Sequence, residues 1–189
     1  MNHKIILRVL FCTFFPLVLL LFSYNITVGL WQWTPSQEKV IDYLYHDQNF
    51  EGATALELSH LDDVKEVMKK MDILFFVSVI FFIWMAWHNY KDKKELQWLG
   101  IYGGMTTVLL VILFIFAVVF KFQWLFAGFH QILFPQGNWL FPYDSFLINH
   151  FSFDFFEMIS AIIFGQTLFW GSIFIGIALY YYYGSIKNH

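Results

Sequence analysis

The sequence predicts an all-α membrane protein, with four transmembrane helices carrying a small helical extracytoplasmic cap. Two observations lead there. The 189 residues are 59% hydrophobic and 13% charged, with a mean hydropathy of +0.58, which is too apolar for a soluble domain of this size. Four apolar runs, Ile5 to Ser23, Ile73 to Trp87, Leu99 to Phe120 and Phe155 to Tyr183, fit the requirement of about 20 residues to cross ~30 Å of hydrocarbon. The second run has only 15 residues and must borrow neighbours or sit in thinned bilayer. The expected layout is one membrane domain over residues 1–189, with spans at about 5–24, 71–90, 98–120 and 155–183. The cap comes from residues 25–70 and 121–154.

The first run has Lys4 and Arg8 as a basic flank, in the manner of a signal peptide, but Tyr24 to Trp33 offers no small-residue cleavage site. It reads as an anchor. Cys12 is the single cysteine and no small residue precedes it, so neither a lipoprotein signal, an internal disulfide, a CxxC pair nor a cysteine metal cluster is expected.

Charge sets the orientation. Lys4, Arg8, Lys91, Lys93, Lys94 and Lys187 flank one side with only Asp92 and Glu95, while the other side sets Lys39, Lys65, Lys69, Lys70 and Lys121 against twelve acids. The positive-inside rule then makes both termini and the Lys-rich loop cytoplasmic.

The first outer segment reads as two helices. Thr34-Pro35-Ser36-Gln37 has the form of a capping box with proline at the first helical position, followed by Val40, Ile41, Leu44 and Tyr45 at helical spacing to near His46. The polar stretch Asp47 to Gly52 interrupts it. Ser59-His60-Leu61-Asp62 then fits a second cap signature, which places His60 in the first turn of the next helix. A straight run from there to Ile73 would hold His60 roughly 20 Å above the apolar span at 1.5 Å per residue. The stripe Leu61, Val64, Met68 and Met71, with Asp62, Asp63, Glu66 and Lys69 on other faces, is therefore expected to lie along the interface and bend near Lys70 to Asp72.

The second outer segment continues the third span through Phe134 and breaks at Pro135-Gln136-Gly137-Asn138, a turn signal. Trp139 to His150 is irregular or briefly helical. Asp154-Phe155-Phe156-Glu157 is expected to cap the last span.

The third run holds no ionisable residue and the fourth only Glu157 at its outer mouth, which argues against transport by a charged relay. No G-x-S-x-G, H-E-x-x-H or His pair four apart on a span is present, which leaves no motif for a serine hydrolase, zinc or haem. Chemistry must come from the cap. From Lys121 to Phe156, 13 of 36 residues are Phe, Trp or Tyr, mostly core or interfacial belt, and His130 stands among them. Aromatic burial disfavours its charged form and suits it to act as a base or neutral donor. At the start of a helix, His60 is likewise disfavoured as imidazolium by the dipole. Each is otherwise an ordinary structural histidine. Asp144 is the natural orienting carboxylate or else a turn cap, and Trp139 and Tyr143 could line an acyl-chain cavity. His46, His88 and His150 are weaker candidates, and His3 and His189 are terminal.

Phe129-His130 with Phe134, then Trp139, Phe141, Asp144, Leu147 and Ile148, and ahead of them His60-Leu61-Asp62-Asp63-Val64-Lys65, together resemble the lipoprotein intramolecular transacylase family of Gram-positive bacteria. The likeness covers the whole chain. His150-Phe151-Ser152 departs from it, since an apolar pair and proline are expected before the last span. The resemblance implies a bacterial cell-membrane acyltransferase, without cofactor or metal, that moves the sn-2 acyl chain of a diacylglyceryl lipoprotein onto the α-amino group of that lipoprotein's N-terminal cysteine. The product is a lyso-form lipoprotein. It also implies two histidines at the boundary of cap and membrane, matched here by His60 and His130, with Asp144, Trp139, Tyr143 and Phe129 as supporting or pocket residues. The expected partners are the lipoprotein substrate and membrane lipid, with no nucleic acid, and the expected state is a monomer. Two other readings remain open: a non-catalytic lipid-binding or assembly protein, and an intermolecular lipid acyltransferase or hydrolase.

Overall fold

The computed structural model describes residues 3–46 and 48–187; Asp47 and His189 lie outside them. The described residues form six helices and no strand. They are α1 (His3–Leu30), α2 (Pro35–His46), α3 (Ala55–His88), α4 (Lys93–Leu133), α5 (Phe146–His150) and α6 (Phe153–Lys187). Helices α1, α3, α4 and α6 are long and apolar enough to cross a membrane. This is an all-α membrane protein with four spanning helices.

The bundle is held by small residues where helices meet. In lipid, apolar surface gains little by leaving its solvent, so helices associate where backbones can come close. Helix α4 presents Gly100, Gly103, Gly104 and Thr107. A Cβ at Gly104 would lie 2.5 Å from Ile175 Cγ1 and 2.9 Å from the carbonyl oxygen of Gly171 on α6, and one at Gly103 would lie 2.8 Å from Phe11 on α1. Around this contact Phe11, Phe15, Leu19, Met85 and Leu99 form the inner core, with Phe82, Trp170 and Phe174 against it. Gly104→Val is therefore expected to cost about 1–3 kcal/mol by overpacking. The thermal unfolding midpoint in detergent should fall by several degrees. Gly165→Ala, which has open space around the added carbon, should leave the midpoint within a degree or raise it.

One end of the bundle is closed by charge. Arg8 Nε and Nη2 donate to the two carboxylate oxygens of Glu95 at 2.7 and 2.6 Å, and Lys4 pairs with Asp92 at 3.3 Å. This ties the start of α1 to the start of α4. The cap stands at the other end. There Val40, Phe50, Leu61 and Leu147 form a second core with Tyr43, Leu44, Phe141, Phe146 and Phe151 around it.

The capping box expected at Thr34 is present: Gln37 N–H donates to Thr34 Oγ1 at 3.3 Å, and Thr34 N–H to Gln37 Oε1 at 3.2 Å. Three other local expectations are corrected. Helix α3 begins at Ala55, capped by Thr54 in a full capping box with Glu57, so Ser59 is no cap and His60 sits in the second turn. Thr54 wins because Glu57 returns the bond from the N3 position, which Asp62 does not do for Ser59. Helix α3 also runs without a break from Ala55 to His88, about 51 Å at 1.5 Å per residue, rather than bending near Lys70. The break falls in α4, where Lys121 has non-helical angles of φ −146° and ψ 33°. Finally, Ser152 rather than Asp154 caps α6, its Oγ accepting from Phe155 N–H at 3.3 Å. Ser152, where the resemblance led to the expectation of proline, is the residue that starts the last helix.

Candidate active site

His60 and His130 meet where the outer part of α3 faces the outer part of α4. Their ring centroids are 6.0 Å apart and the planes inclined by 27°. His60 stands thirteen positions before Ile73, where the apolar run of α3 begins, and His130 follows the break at Lys121. The redirected α4 segment brings the two rings together over a straight α3.

Aromatic rings enclose both. Phe134 lies 4.7 Å and Phe141 5.5 Å from His60, while Phe126, Trp139, Phe129 and Phe134 lie 4.0, 5.0, 5.6 and 5.6 Å from His130. Burial among these rings sets the electrostatics, because an imidazolium loses hydration that apolar neighbours do not replace. His60, only 7% exposed, has its pKa pushed down to about 4, first by burial and then by the neighbouring His130, against opposing effects of Asp63 and Asn138. Burial also lowers the pKa of His130, against the Phe126 carbonyl. Both rings are therefore neutral near pH 7, and His60 owes this to burial. The helix dipole expected to act on it fades beyond the first turn.

Hydrogen bonding fixes one ring. His130 Nδ1 lies 2.9 Å from the carbonyl oxygen of Phe126, one turn earlier on α4. A carbonyl only accepts, so Nδ1 carries the proton and Nε2 keeps its lone pair. His130 is thus presented as a proton acceptor.

The other expected site residues are placed less evenly. Trp139 is half-buried against His130, and Phe129 touches the same ring while remaining 54% exposed. Tyr143 is 95% exposed and lines no enclosed cavity. Asp144 is exposed, and its backbone oxygen accepts from Asn149 Nδ2 at 3.3 Å. Its carboxylate makes no hydrogen bond to either imidazole among the described residues, and Ser145 is the residue that caps α5. His150 bonds the carbonyl of Phe146 at 2.8 Å, His46 pairs with Asp42 at 3.2 Å, and His88 stacks on Trp84 at the opposite end. None of these three reaches the central pair.

Sequence reasoning missed the carboxylate nearest the site. Asp63 Oδ2 accepts from Asn138 Nδ2 at 2.6 Å and also from Gln136 Nε2, and its charge acts on His60. In the sequence Asp63 falls on a face other than the apolar stripe of its helix, and Gln136 and Asn138 fall in a turn signal. The signal was available in the spacing, since Asp63 is three residues after His60 and hence on the same helix face. Among the described residues no three His, Cys, Asp or Glu side chains come together as a metal site.

Residues 34–156 match the family model of the lipoprotein intramolecular transacylase Lit. The fold is similar to the in meso structure of the membrane-integral lipoprotein intramolecular transacylase Lit from Bacillus cereus. The TM-score is 0.81 at 17% identity, covering 98% of this chain and 97% of that one. A structure of the same Bacillus cereus protein with a histidine-to-arginine substitution gives 0.77 at 14% identity, covering 98% and 95%. No curated protein sequence matches.

Proposed function

Starting from the membership of this chain in the lipoprotein intramolecular transacylase family, which makes it a membrane acyltransferase, we propose the specific reaction and the residues that carry it. The sn-2 acyl chain of a diacylglyceryl lipoprotein moves to the α-amino group of the same lipoprotein's N-terminal cysteine, and His60 and His130 handle the protons. The observation that carries this reading is the pair of neutral imidazoles 6.0 Å apart within an aromatic shell.

The proton balance suits two rings. An α-ammonium, with a pKa of ~8, must shed a proton before nitrogen can attack the ester carbonyl. A second proton leaves that nitrogen as the amide forms, and the glyceryl oxygen must gain one as its bond to the acyl carbon breaks. His130 takes the first proton at Nε2 and, once charged, steadies the oxyanion and delivers that proton to the departing oxygen. His60 takes the second as general base and returns it to water. No acyl-enzyme is needed, because nucleophile and ester arrive in one molecule. Holding them together can supply several kcal/mol, up to about 7 to 11 in well-oriented cases. Phe129, which touches His130, is exposed and apolar, as are Ile132 and Leu140 on the same two segments, and together they offer acyl chains a surface continuous with the bilayer. The site then faces the extracytoplasmic side and the termini the cytoplasm, in keeping with the basic flanks.

Purified protein mixed with a diacylated lipoprotein should leave the mass of the N-terminal peptide unchanged while relocating one acyl group to nitrogen, as fragment-ion mass spectrometry would read. Loss of one acyl chain would show hydrolysis instead. Label passing between separate substrate molecules would show an intermolecular enzyme.

A further inference from the structure

Among the described residues, the buried polar atoms that lack a hydrogen-bond partner include His60 Nδ1 and Asn138 Oδ1, and the Asn138 amide is held on Ser59 and Asp63, which flank His60 on α3. His60 and Asn138 are at least nine-tenths buried, at 7% and 9% exposure. Asn138 lies against the imidazole of His60 and favours its protonated form, as a carbonyl acceptor does. Leaving buried polar atoms unpaired is costly, so two of them at one site call for a physical reason.

The reason lies in what holds the amide. An ionised carboxylate can only accept, so the Asn138 amide must turn its NH2 group toward Asp63. Its Nδ2 is 2.6 Å from Asp63 Oδ2 and 3.2 Å from Ser59 Oγ. Gln136 Nε2 donates to that same carboxylate oxygen, bracing Asp63 from the turn that carries Asn138. Both amide protons of Asn138 are therefore engaged, and only its carbonyl oxygen remains for His60. A bare Nδ1 lone pair facing that oxygen would be repelled, whereas an Nδ1–H needs only a small shift of the ring or the amide to donate to it.

We propose that Asp63 and Asn138 are positioning residues that hold His60 as the Nδ1–H tautomer, with Nε2 left as its proton acceptor. The relay runs from carboxylate to amide to imidazole, across two chain segments that the turn at 135–138 brings onto the face of α3. It gives His60 what the Phe126 carbonyl gives His130, so both rings present a lone pair at the same nitrogen. This rests on the two-histidine reading of the site. It adds a specific role for two residues outside the aromatic shell.

The test is nitrogen NMR of the full-length protein in lipid bilayers, labelled with 15N-histidine and with the His60 signals identified by their absence in His60→Gln. Wild-type His60 is expected as Nδ1–H near pH 7. Asn138→Ala should shift it toward the Nε2–H form that free imidazole side chains favour in water, and lower kcat about 10- to 100-fold with KM unchanged, the usual cost of losing an orienting partner. Asp63→Ala, which leaves Asn138 free to turn its amide, should give the same shift. The exchange Asp63→Asn with Asn138→Asp restores an acceptor toward His60 and a donor between the pair, so it should recover both the tautomer and most of the rate. An Nε2–H signal in the wild type would overturn the inference. So would an unchanged tautomer and kcat in Asn138→Ala. The tautomer measurement decides the matter even if the wild type moves no acyl group, a result that would instead overturn the proposed reaction.

Discussion

Alanine at His60 or His130 is expected to lower kcat for acyl relocation by about 10²- to 10⁴-fold, the range typical of losing a positioned acid or base. The fold should survive, because the inner core of Phe11, Phe15, Leu19, Met85 and Leu99 lies at the far side of the bundle. A thermal midpoint near that of the wild type would confirm that the loss is chemical. Removing both rings should cost little more than removing one, since the two act on a single proton inventory. The pH profile of the wild type sharpens this. Both imidazoles are shifted below the ordinary value of 6.5, so they stay neutral to lower pH than free histidine does. The acid limb of kcat should therefore fall below pH 6.5, with the rate dropping as protons occupy the rings. In His130→Ala, the His60 titration followed by NMR should rise from its low value, because a neighbouring positive charge has been removed. Full activity in both single variants would mean that the rings are structural.

What the sequence made legible was chiefly pattern over distance. Four long apolar runs and a one-sided basic bias show in composition because the bilayer imposes them on every residue of a span. His130 stood out because a titratable group is rare among so many rings, and His60 because it falls near a helix start. The Thr34 box was readable because both of its partners lie within four residues.

The two capping errors have a common cause: each needed a comparison of two competing signals. Ser59 and Thr54 both have an acid three residues on, and only Thr54 is followed by one that returns the bond. Asp154 is the stronger cap residue by charge, yet Ser152 stands two residues earlier, just before the first helical residue, and takes the position. The break at Lys121 carries no Pro or Gly, so nothing in local propensity announced it. Asp63 and Asn138 were invisible as a pair because 75 residues separate them. Asp144, inside the aromatic stretch, was the natural candidate in sequence, whereas Asp63 is the carboxylate whose charge acts on His60 in space.

Glu57→Ala is expected to have the largest effect on the cap. Its carboxylate is 1% exposed, with Oε1 accepting from Leu147 N–H at 2.9 Å and Oε2 accepting from Thr54 N–H at 2.8 Å and from Thr54 Oγ1 at 2.9 Å. One side chain thus closes the N-terminus of α3 and anchors α5, 90 residues later. Burial works to raise its pKa, but the hydrogen bonds from Thr54 and Leu147 outweigh it and leave the carboxylate below its ordinary value. A lowered folded pKa means that the unfolded chain binds the proton more readily. This contribution to stability is full above about pH 4.5 and is lost as pH falls through the lower folded value. Truncation leaves a buried amide at Leu147 without an acceptor and strips the cap from α3, together on the order of 3 kcal/mol. Glu57→Gln should recover only part of this, because its NH2 group must face one of the donors. Hydrogen exchange should show residues 140–150 opening faster in both variants, with the inner ends of α1 and α6 unchanged. Phe141, which packs on His60 from that same segment, would lose its fixed place, so kcat should fall along with protection. Unaltered exchange at 140–150 would mean that the hydrophobic cluster around Leu147 holds the cap without help from the carboxylate.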